Sequence, residues 1–178
     1  MAMNEKEWLC AHAYLQWIMK KNKILGKKKI YMFLDFDGVI NIFYKEGTPE
    51  YEALMKSKYF EFADKKCVRR LSDLCLEFDI DVVISSSWRY SGVEYCTQYL
   101  REAGLDERVK VVGTTEEDFH SRQEQIYNYL KKHLDFTGFV VIDDIDMTQL
   151  ARYQVVTDIW EGLTEEKILE AKKILLDK

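Results

Sequence analysis

The chain has 178 residues, of which 47% are apolar and 13% aromatic, and its formal net charge is −5. This length and composition fit one globular domain with a real core and exclude a disordered chain. The acidic balance argues against a general nucleic-acid coat, although local basic patches remain compatible with it.

The cysteines and the apolar runs bear on the compartment. The four cysteines form no C-x-x-C pair and no paired spacing with the three histidines, which argues against a zinc site or a disulfide framework and favours a reducing compartment. No apolar run approaches the roughly 18 residues of a membrane span. Glu5 and Glu7 also interrupt any signal-peptide apolar segment. We therefore expect a cytoplasmic protein without membrane contact.

The N-terminal segment predicts an amphipathic helix over residues 4–20, with Trp8 and Leu15 among the apolar residues at helical spacing. We expect its apolar face to pack on its own domain, a docked partner being the alternative. The stretch KKNKILGKKK, residues 20–29, contains six lysines and predicts a solvated linker, with contacts to the phosphates of a polymer as the alternative. The sequence thus divides into a helix and basic linker, residues 1–28, and a main domain, residues 29–178.

Strands and helices alternate from residue 30 onward. Continuous apolar runs bounded by turn residues predict buried strands at 30–34, 81–85, 109–113, 138–143 and 153–157. Helical periodicity predicts helices at 63–78, 93–103, 122–134 and 164–176. Unalternating strands separated by helices indicate an α/β fold, a three-layer, doubly wound parallel sheet of Rossmann-like type. The segment around Pro49 predicts a loop or short flap, too short for a large cap domain.

Polar side chains follow the predicted strands at the point where each strand ends, which is where open α/β sheets bind ligands. They are Asp35 and Asp37, Ser85 to Ser87, Gly113 and Thr114, and Asp143, Asp144 and Asp146. Because alternate residues of a strand point to the same side, Asp35 and Asp37 can face one pocket while Phe36 points away. Gly38 allows the sharp turn that follows them.

Four carboxylates in a small volume need compensation. Two like charges 4 Å apart repel by about 4 kcal/mol at an effective dielectric constant near 20, so either some stay protonated or a cation lies among them. Hard oxygen ligands of this kind suit Mg²⁺. An isolated D-x-D-G after a strand is equally well explained by a turn with local hydrogen bonds; the joint pattern of all four strand ends is more specific.

The order of these motifs resembles that of the haloacid dehalogenase-like (HAD) hydrolases over roughly residues 29–177. The four segments that carry the resemblance are FLDFDGVI, VVISSSWR, HSRQEQIYNYL and VVIDDIDM. The segments SSSWR, DDIDM and VVTDIWEGLTEE are similar to those of a smaller subgroup, the HAD domain of RNA repair proteins. The N-terminal helix lies outside the resemblance.

The resemblance implies phosphoryl transfer through an aspartyl-phosphate. Asp35 would be the nucleophile and Asp37 the general acid and base. Ser86 would bind a phosphoryl oxygen, and Arg122 would offset its charge. Mg²⁺ would be held by the acids that follow the first and fourth strands, Asp35, Asp143 and Asp144 together with the backbone carbonyl of Asp37.

Several assignments within this scheme keep alternatives. Ser85 is the alternative to Ser86, and Ser85, Ser87 and Arg89 are candidates for substrate binding. Arg89 either contacts the non-reacting part of the substrate or packs over Trp88. Asp146 either holds another site residue or caps the following helix.

The third motif carries a departure from the family pattern. Many HAD members have lysine where this chain has Arg122, so Lys110 and Lys131 are rivals for its role, one within a predicted strand and the other late in a helix.

The sequence therefore predicts an Mg²⁺-dependent phosphatase acting on a phosphomonoester. An open site without a large cap favours a bulky phosphorylated substrate such as a nucleic-acid end, with small phosphate esters as the alternative. A catalytically inactive HAD-like binding or regulatory domain is the alternative from another class, although retention of both Asp35 and Asp37 speaks against it. A receiver domain fits badly, because its phosphorylated aspartate follows the third strand, which here ends in Gly113 and Thr114.

Overall fold

The computed structural model describes residues 2–56, 63–116 and 121–177. Five parallel strands form one sheet in the order β3-β2-β1-β4-β5. The strands are β1 (Lys29–Leu34), β2 (Ile80–Ile84), β3 (Lys110–Thr114), β4 (Phe136–Asp143) and β5 (Gln154–Val156). Each lies within two residues of its predicted bounds, and the Rossmann-like α/β fold is confirmed.

In these described ranges six helices accompany the sheet, with two short 3₁₀ turns at Ser87–Ser91 and Thr148–Tyr153. The helices are α1 (Glu5–Ile24), α2 (Pro49–Lys56), α3 (Lys65–Phe78), α4 (Val93–Glu102), α5 (Arg122–Lys132) and α6 (Glu165–Leu176). Within the described ranges, no helix combines the length and the apolar character needed to cross a membrane.

Two segments are more helical than predicted. The residues around Pro49 form the short helix α2, because proline suits the first helical position and the Thr48 hydroxyl accepts the Tyr51 N–H at 3.2 Å. Helix α1 continues to Ile24, through half of the predicted linker, since the buried Asn22 amide donates to backbone carbonyls near the start of β4 at 2.9 and 2.7 Å.

The helices cover both faces of the sheet and give three layers. One core, with Met32 and Leu34 at its centre, lies under α3, α4 and α6. The other contains Tyr31 and Phe33 and lies under α1 and α5. The alternation of the four β1 residues between the two cores places this strand in the middle of the molecule. Helix α1 is thus part of one outer layer.

The topology defines one crevice at the carboxyl edge of the sheet. β1 and β4 are neighbours in the middle of the sheet. After β1 the chain adds β2 and β3 outward on one side, and after β4 it adds β5 on the other side. Ligands of open α/β sheets bind where the strand order reverses, beyond the carboxyl ends of the two central strands. Between β1 and α3, the only helix in the described residues is the 8-residue α2, and no large cap is evident.

Candidate active site

A row of polar side chains crosses the sheet at the carboxyl ends of the strands: Asp143 is the last residue of β4, and Asp35, Ser85 and Thr115 directly follow β1, β2 and β3. The backbone N–H groups of Asp35, Ser85 and Thr115 donate to the neighbouring strand at 3.0, 2.8 and 2.9 Å, and the carbonyl of Asp143 accepts from Thr157 at 3.0 Å. The ladder therefore continues past the strand ends and fixes these four polar residues in register.

This row faces helix α5. Asp35 follows Phe33 by two residues and Asp143 follows Val141 by two, and both apolar residues belong to the core under α1 and α5. Since alternate residues share a face, the two carboxylates come out on the side of the sheet where α5 begins with Arg122.

Three carboxylates meet at the crevice between β1 and β4. One oxygen from each of Asp35, Asp143 and Asp144 can be chosen so that all lie within 4.8 Å of one another. Asp35 and Asp143 are buried and Asp144 is half-buried. The acids of the first and fourth strands are therefore close enough to share one ion.

Arg122 bridges two of these acids. Its Nη1 lies 2.7 Å from Asp143 Oδ2 and 3.0 Å from Asp35 Oδ2. As the first residue of α5, which the Ser121 hydroxyl caps by accepting the Glu124 N–H at 3.3 Å, Arg122 is placed directly over the strand ends. The charges of both acids raise its pKa although burial opposes this, so Arg122 stays a cation.

Burial decides the protonation of the acids. It raises the pKa of Asp35, against the lowering effect of Arg122 and of a hydrogen bond with Ser86. Burial and then the charge of Asp35 raise the pKa of Asp143 to about 7, against the effect of Arg122. One arginine therefore leaves the acid group under-compensated.

The donor set fits a divalent cation. Three negative carboxylates face one positive guanidinium, so neutrality calls for two further positive charges or for bound protons. All three donors are hard oxygens, which Mg²⁺ prefers. At Gly38, where φ is +74°, an added Cβ would lie 2.8 Å from the Asp144 Cβ. Only glycine, which has no Cβ, therefore lets the chain after β1 pass this close to Asp144.

The side chain of Asp37 lies outside this group of three and is held by hydrogen bonds. Its Oδ1 accepts from Asn41 Nδ2 at 2.8 Å, and its Oδ2 accepts from Trp88 Nε1 at 3.0 Å. Tyr99 donates to Asn41 Oδ1 at 2.7 Å and so fixes the amide orientation. Sequence reasoning did not identify Asn41; its one signal is a polar residue within the apolar segment after D-x-D-G.

The three serines have different environments. The Ser86 hydroxyl accepts from the Trp88 N–H at 3.3 Å, and its interaction with Asp35 lowers the pKa of that carboxyl. Ser85 is fully buried, and its hydroxyl has no hydrogen-bond partner among the described residues. An unpartnered buried hydroxyl is costly, so Ser85 is free to bind a ligand atom. Ser87 is exposed.

The other predicted cations differ from Arg122 in position. Arg89 is half-buried, donates to the Ser86 carbonyl at 2.7 Å and lies over the ring of Tyr90, 4.9 Å from its centroid. Lys110 is at the start of β3, the opposite end of the sheet, 3.4 Å from Asp79. Lys131 lies in the last turn of α5. Arg122 is the one of these four cations that the structure places against the acids.

Asp146 and His120 lie near the site in the sequence, and the described part of the structure places neither at the acid group. Asp146 is exposed, and the 3₁₀ turn after it has Met147 as its N-terminal cap, so Asp146 does not cap it. His120, a histidine two residues before Arg122, lies outside the described residues.

Comparison with known proteins agrees with this geometry. The model of one family, the HAD domain in Swiss Army Knife RNA repair proteins, matches residues 31–168. The match spans more than half of the chain and includes both strands of the crevice and Arg122. The comparisons with curated proteins and with solved structures gave no match. Membership of this family indicates a hydrolase of the phosphatase type. The chain belongs to the HAD domains of Swiss Army Knife RNA repair proteins.

Proposed function

We propose that the protein is an Mg²⁺-dependent phosphatase that forms an aspartyl-phosphate on Asp35. The observation that carries the proposal is the grouping of Asp35, Asp143 and Asp144 oxygens within 4.8 Å of one another, with Arg122 bonded to two of them. A buried acid with a cation beside it is what a carboxylate nucleophile needs when it attacks an anionic phosphoryl group.

The first step transfers the phosphoryl group to Asp35. A carboxylate oxygen attacks phosphorus, the bond to the leaving oxygen breaks, and Asp37 gives that oxygen a proton. Arg122 holds the Asp35 carboxylate through an ion pair at 3.0 Å, so its orientation is set before substrate arrives.

The second step returns the enzyme to its starting state. Asp37, now ionised, takes a proton from a water molecule that attacks the phosphorus of the acyl phosphate, and Asp35 leaves as a carboxylate. The hydrogen bonds from Asn41 and Trp88 fix both oxygens of Asp37, which keeps the same group in reach of both the leaving oxygen and the water.

The cations offset charge that builds up on the phosphoryl oxygens. Mg²⁺ held by Asp35, Asp143, Asp144 and the backbone carbonyl of Asp37 would supply positive charge to the phosphoryl group. Arg122 contributes from the helix side, where its donors already face the acids. Ser86, or the unpartnered hydroxyl of Ser85, donates to a phosphoryl oxygen, and Ser87 and Arg89 lie further along the same segment for contacts with the rest of the substrate.

A phosphorylated nucleic-acid end is the substrate class that we propose. The family is described from RNA repair proteins, and the described residues between β1 and α3 form no large cap that would close the site over a small molecule. A small phosphate ester is the competing class, and a panel of phosphorylated nucleotides, sugars, peptides and oligonucleotide ends separates the two.

Hydrolysis of an aryl phosphate tests the activity. We expect turnover with Mg²⁺, loss of turnover with EDTA, and a rate equal to the uncatalysed one in Asp35→Asn. Asp73→Asn, an exposed acid on α3, is the matched control and should keep the parent rate. Undiminished turnover in Asp35→Asn would exclude Asp35 as the nucleophile, and absence of turnover across the whole panel would favour a non-catalytic binding domain.

A further inference from the structure

An exposed tryptophan stands on a tight turn after β5. Trp160 is 44% exposed, and the turn that carries it is closed by the Gly162 N–H, which donates to the Asp158 carbonyl at 2.7 Å. The Trp160 N–H also donates to Asp158 Oδ1 at 2.8 Å. The turn therefore holds a large apolar side chain toward solvent by several backbone contacts.

This turn is packed against the loop that follows β1. An added Cβ at Gly162 would lie 2.6 Å from the Val39 carbonyl oxygen, and the Leu163 N–H donates to that carbonyl at 2.9 Å. The Ile159 carbonyl accepts from the Phe43 N–H at 3.0 Å. The position of Trp160 is therefore tied to the loop that begins with the site acids.

The turn is also a direct neighbour of the acid group. A Cβ built on Gly38 would be 2.8 Å from Asp144 Cβ and 3.0 Å from Ile159 Cγ2. A proposed metal ligand and the residue before Trp160 thus approach the same side of Gly38, so the acid group and the turn that carries the indole meet at this glycine.

Two more side chains complete what we call the aromatic rim, defined as Phe43, Lys45 and Trp160. Phe43 is 47% exposed, and the Lys45 ammonium lies 5.7 Å from the centroid of the Trp160 ring. Aromatic faces with a nearby cation are the means by which proteins bind single-stranded nucleic acid, because every base has a face that can stack.

The same pair of residue types occurs elsewhere without a site. On α1, Trp17 is 56% exposed and Lys21 lies 5.1 Å from its ring centroid. This pair belongs to one helix surface, where residues four apart are neighbours by geometry alone. The aromatic rim instead brings together two loops beside the acid group, so Trp17 serves as the matched control.

We propose that Trp160 is the stacking platform for a base of the phosphorylated nucleotide whose phosphate reaches Asp35. The inference rests on the proposed function, since it names how that site recognises its substrate. Lys45 contacts a backbone phosphate next to the stacked base. Stacking is tolerant of base identity, so the rim selects a nucleotide over a sugar or peptide phosphate without reading sequence.

Charge makes a small contribution to this recognition. The chain carries a net charge of −5, and Asp158 and Glu161 flank Trp160 in the same turn. Binding should therefore show the salt dependence of only one or two phosphate contacts, a slope of about −0.7 to −1.4 in log K against log salt for a single strand. A steep slope would indicate recognition of the backbone rather than of the base.

Binding without turnover gives the test. In an Asp35→Asn background with Mg²⁺, fluorescence anisotropy measures the affinity for an oligoribonucleotide with a terminal phosphate and for the same strand with abasic terminal nucleotides. The variants are Trp160→Ala, Trp160→Phe and the control Trp17→Ala, each checked for an unchanged melting temperature. Because no hydrolysis is needed, the result is independent of whether the wild-type protein turns over an aryl phosphate.

We expect Trp160→Ala to weaken binding of the normal strand roughly fivefold to a hundredfold. Trp160→Phe should keep most of the affinity and Trp17→Ala all of it, while the abasic strand should bind weakly and respond little to Trp160→Ala. Three results would overturn the proposal: no binding of the normal strand, an affinity unchanged in Trp160→Ala, or an equal loss for the abasic strand.

Discussion

At each end of the sheet a cation bridges two acids, but the surroundings of the two clusters differ. At the carboxyl end, Arg122 bridges Asp35 and Asp143 at 3.0 and 2.7 Å. At the amino end, Lys29 bridges Asp81 and Asp135 at 3.4 and 3.2 Å. In each cluster one cation joins two acids that are far apart in sequence, so these three charges alone do not distinguish the two ends.

Burial distinguishes them. The side chains of Asp35 and Asp143 are 5% and 0% exposed. In the other cluster Asp81 is also largely buried, at 10%, but Lys29 and Asp135 are 39% and 46% exposed. Burial raises the pKa of Asp143 to about 7 despite Arg122. For Asp135, burial also acts to raise the pKa, but hydrogen bonds from Lys29 and Tyr31 outweigh it and lower the pKa.

The comparison shows how a charge cluster becomes a reactive site. The exposed cluster, Lys29 with Asp81 and Asp135, has Lys110 as a second cation 3.9 Å from Asp81 and is screened by solvent at Lys29 and Asp135, so it contributes little to stability. The buried cluster has a third acid, Asp144, and too little positive charge, a condition that favours binding of a cation or a proton. Perturbed acids in a crevice are typical of functional sites.

Removing the bridging cation of each cluster in turn should give the largest difference in stability between the two ends. Without divalent ions at pH 8, Arg122→Met should lower the free energy of unfolding by about 3–5 kcal/mol, because it leaves two buried acids unpaired. Lys29→Met should cost about 1 kcal/mol or less, because solvent screens Asp135, and Lys110, 3.9 Å from the buried Asp81, still partners that acid. Urea denaturation followed by circular dichroism measures both, and equal losses would contradict the role assigned to burial.

Two glycines with the same backbone conformation separate the effect of crowding at the site from the effect of backbone conformation. Gly38, at the site, has φ +74° and would place a Cβ against Asp144, whereas Gly26, before β1, has φ +72° and open space around it. Both alanine variants pay about 1–2 kcal/mol for the left-handed conformation. Gly38→Ala should lose about 1–3 kcal/mol more of the free energy of unfolding, because its Cβ overpacks against Asp144.

The function of the two glycine variants should differ as well. Gly38→Ala should lose Mg²⁺-dependent hydrolysis of an aryl phosphate, while Gly26→Ala should keep it. Denaturation and steady-state rates on the two purified variants provide the measurement. A Gly38→Ala protein with parent stability and parent turnover would show that the close approach to Asp144 is unimportant.

The two clusters should respond to pH with opposite signs, a smaller effect. A folded pKa of Asp143 near 7, above its unfolded value, means that its contribution to stability is complete below about pH 4 and is lost as pH rises toward 7. The lowered pKa of Asp135 means that its contribution is present above its unfolded pKa and is lost as pH falls through the folded pKa.

Single substitutions separate these two contributions in metal-free protein. Asp143→Asn should flatten the fall in melting temperature between pH 4 and 7, and Asp135→Asn should reduce the loss of stability below pH 4 and leave the range from 4 to 7 unaltered. Thermal unfolding across a pH series measures both. A melting temperature that rises from pH 4 to 7 because of Asp143 would reverse the sign that burial requires.

Much of the fold follows from local patterns in the sequence. Five continuous apolar runs predicted the strands, and the acids after the first and fourth runs predicted an acid group, because parallel strands bring their carboxyl ends to one edge. Proline at position 49 was interpreted as a loop signal, although a proline also suits the first position of a helix.

The contacts that complete the site depend on residues far apart in the chain. The indole of Trp88 reaches Asp37 across 51 positions of sequence, and the Asn22 amide reaches carbonyls near β4 across more than 100. No local pattern encodes these pairs, because they exist only once the layers have packed. The double contact of Arg122 with Asp35 and Asp143 is of the same kind: the sequence predicted a cation here but not which acids it would join.

Titration calorimetry with Mg²⁺ tests most directly whether the buried acid group is a divalent-ion site. We expect one ion per chain for the parent and binding weakened at least about tenfold in Asp144→Asn. Asp135→Asn, which removes an acid of the same type from the exposed cluster, should leave binding unchanged. Parent-like affinity in Asp144→Asn, or a loss confined to Asp135→Asn, would contradict this expectation.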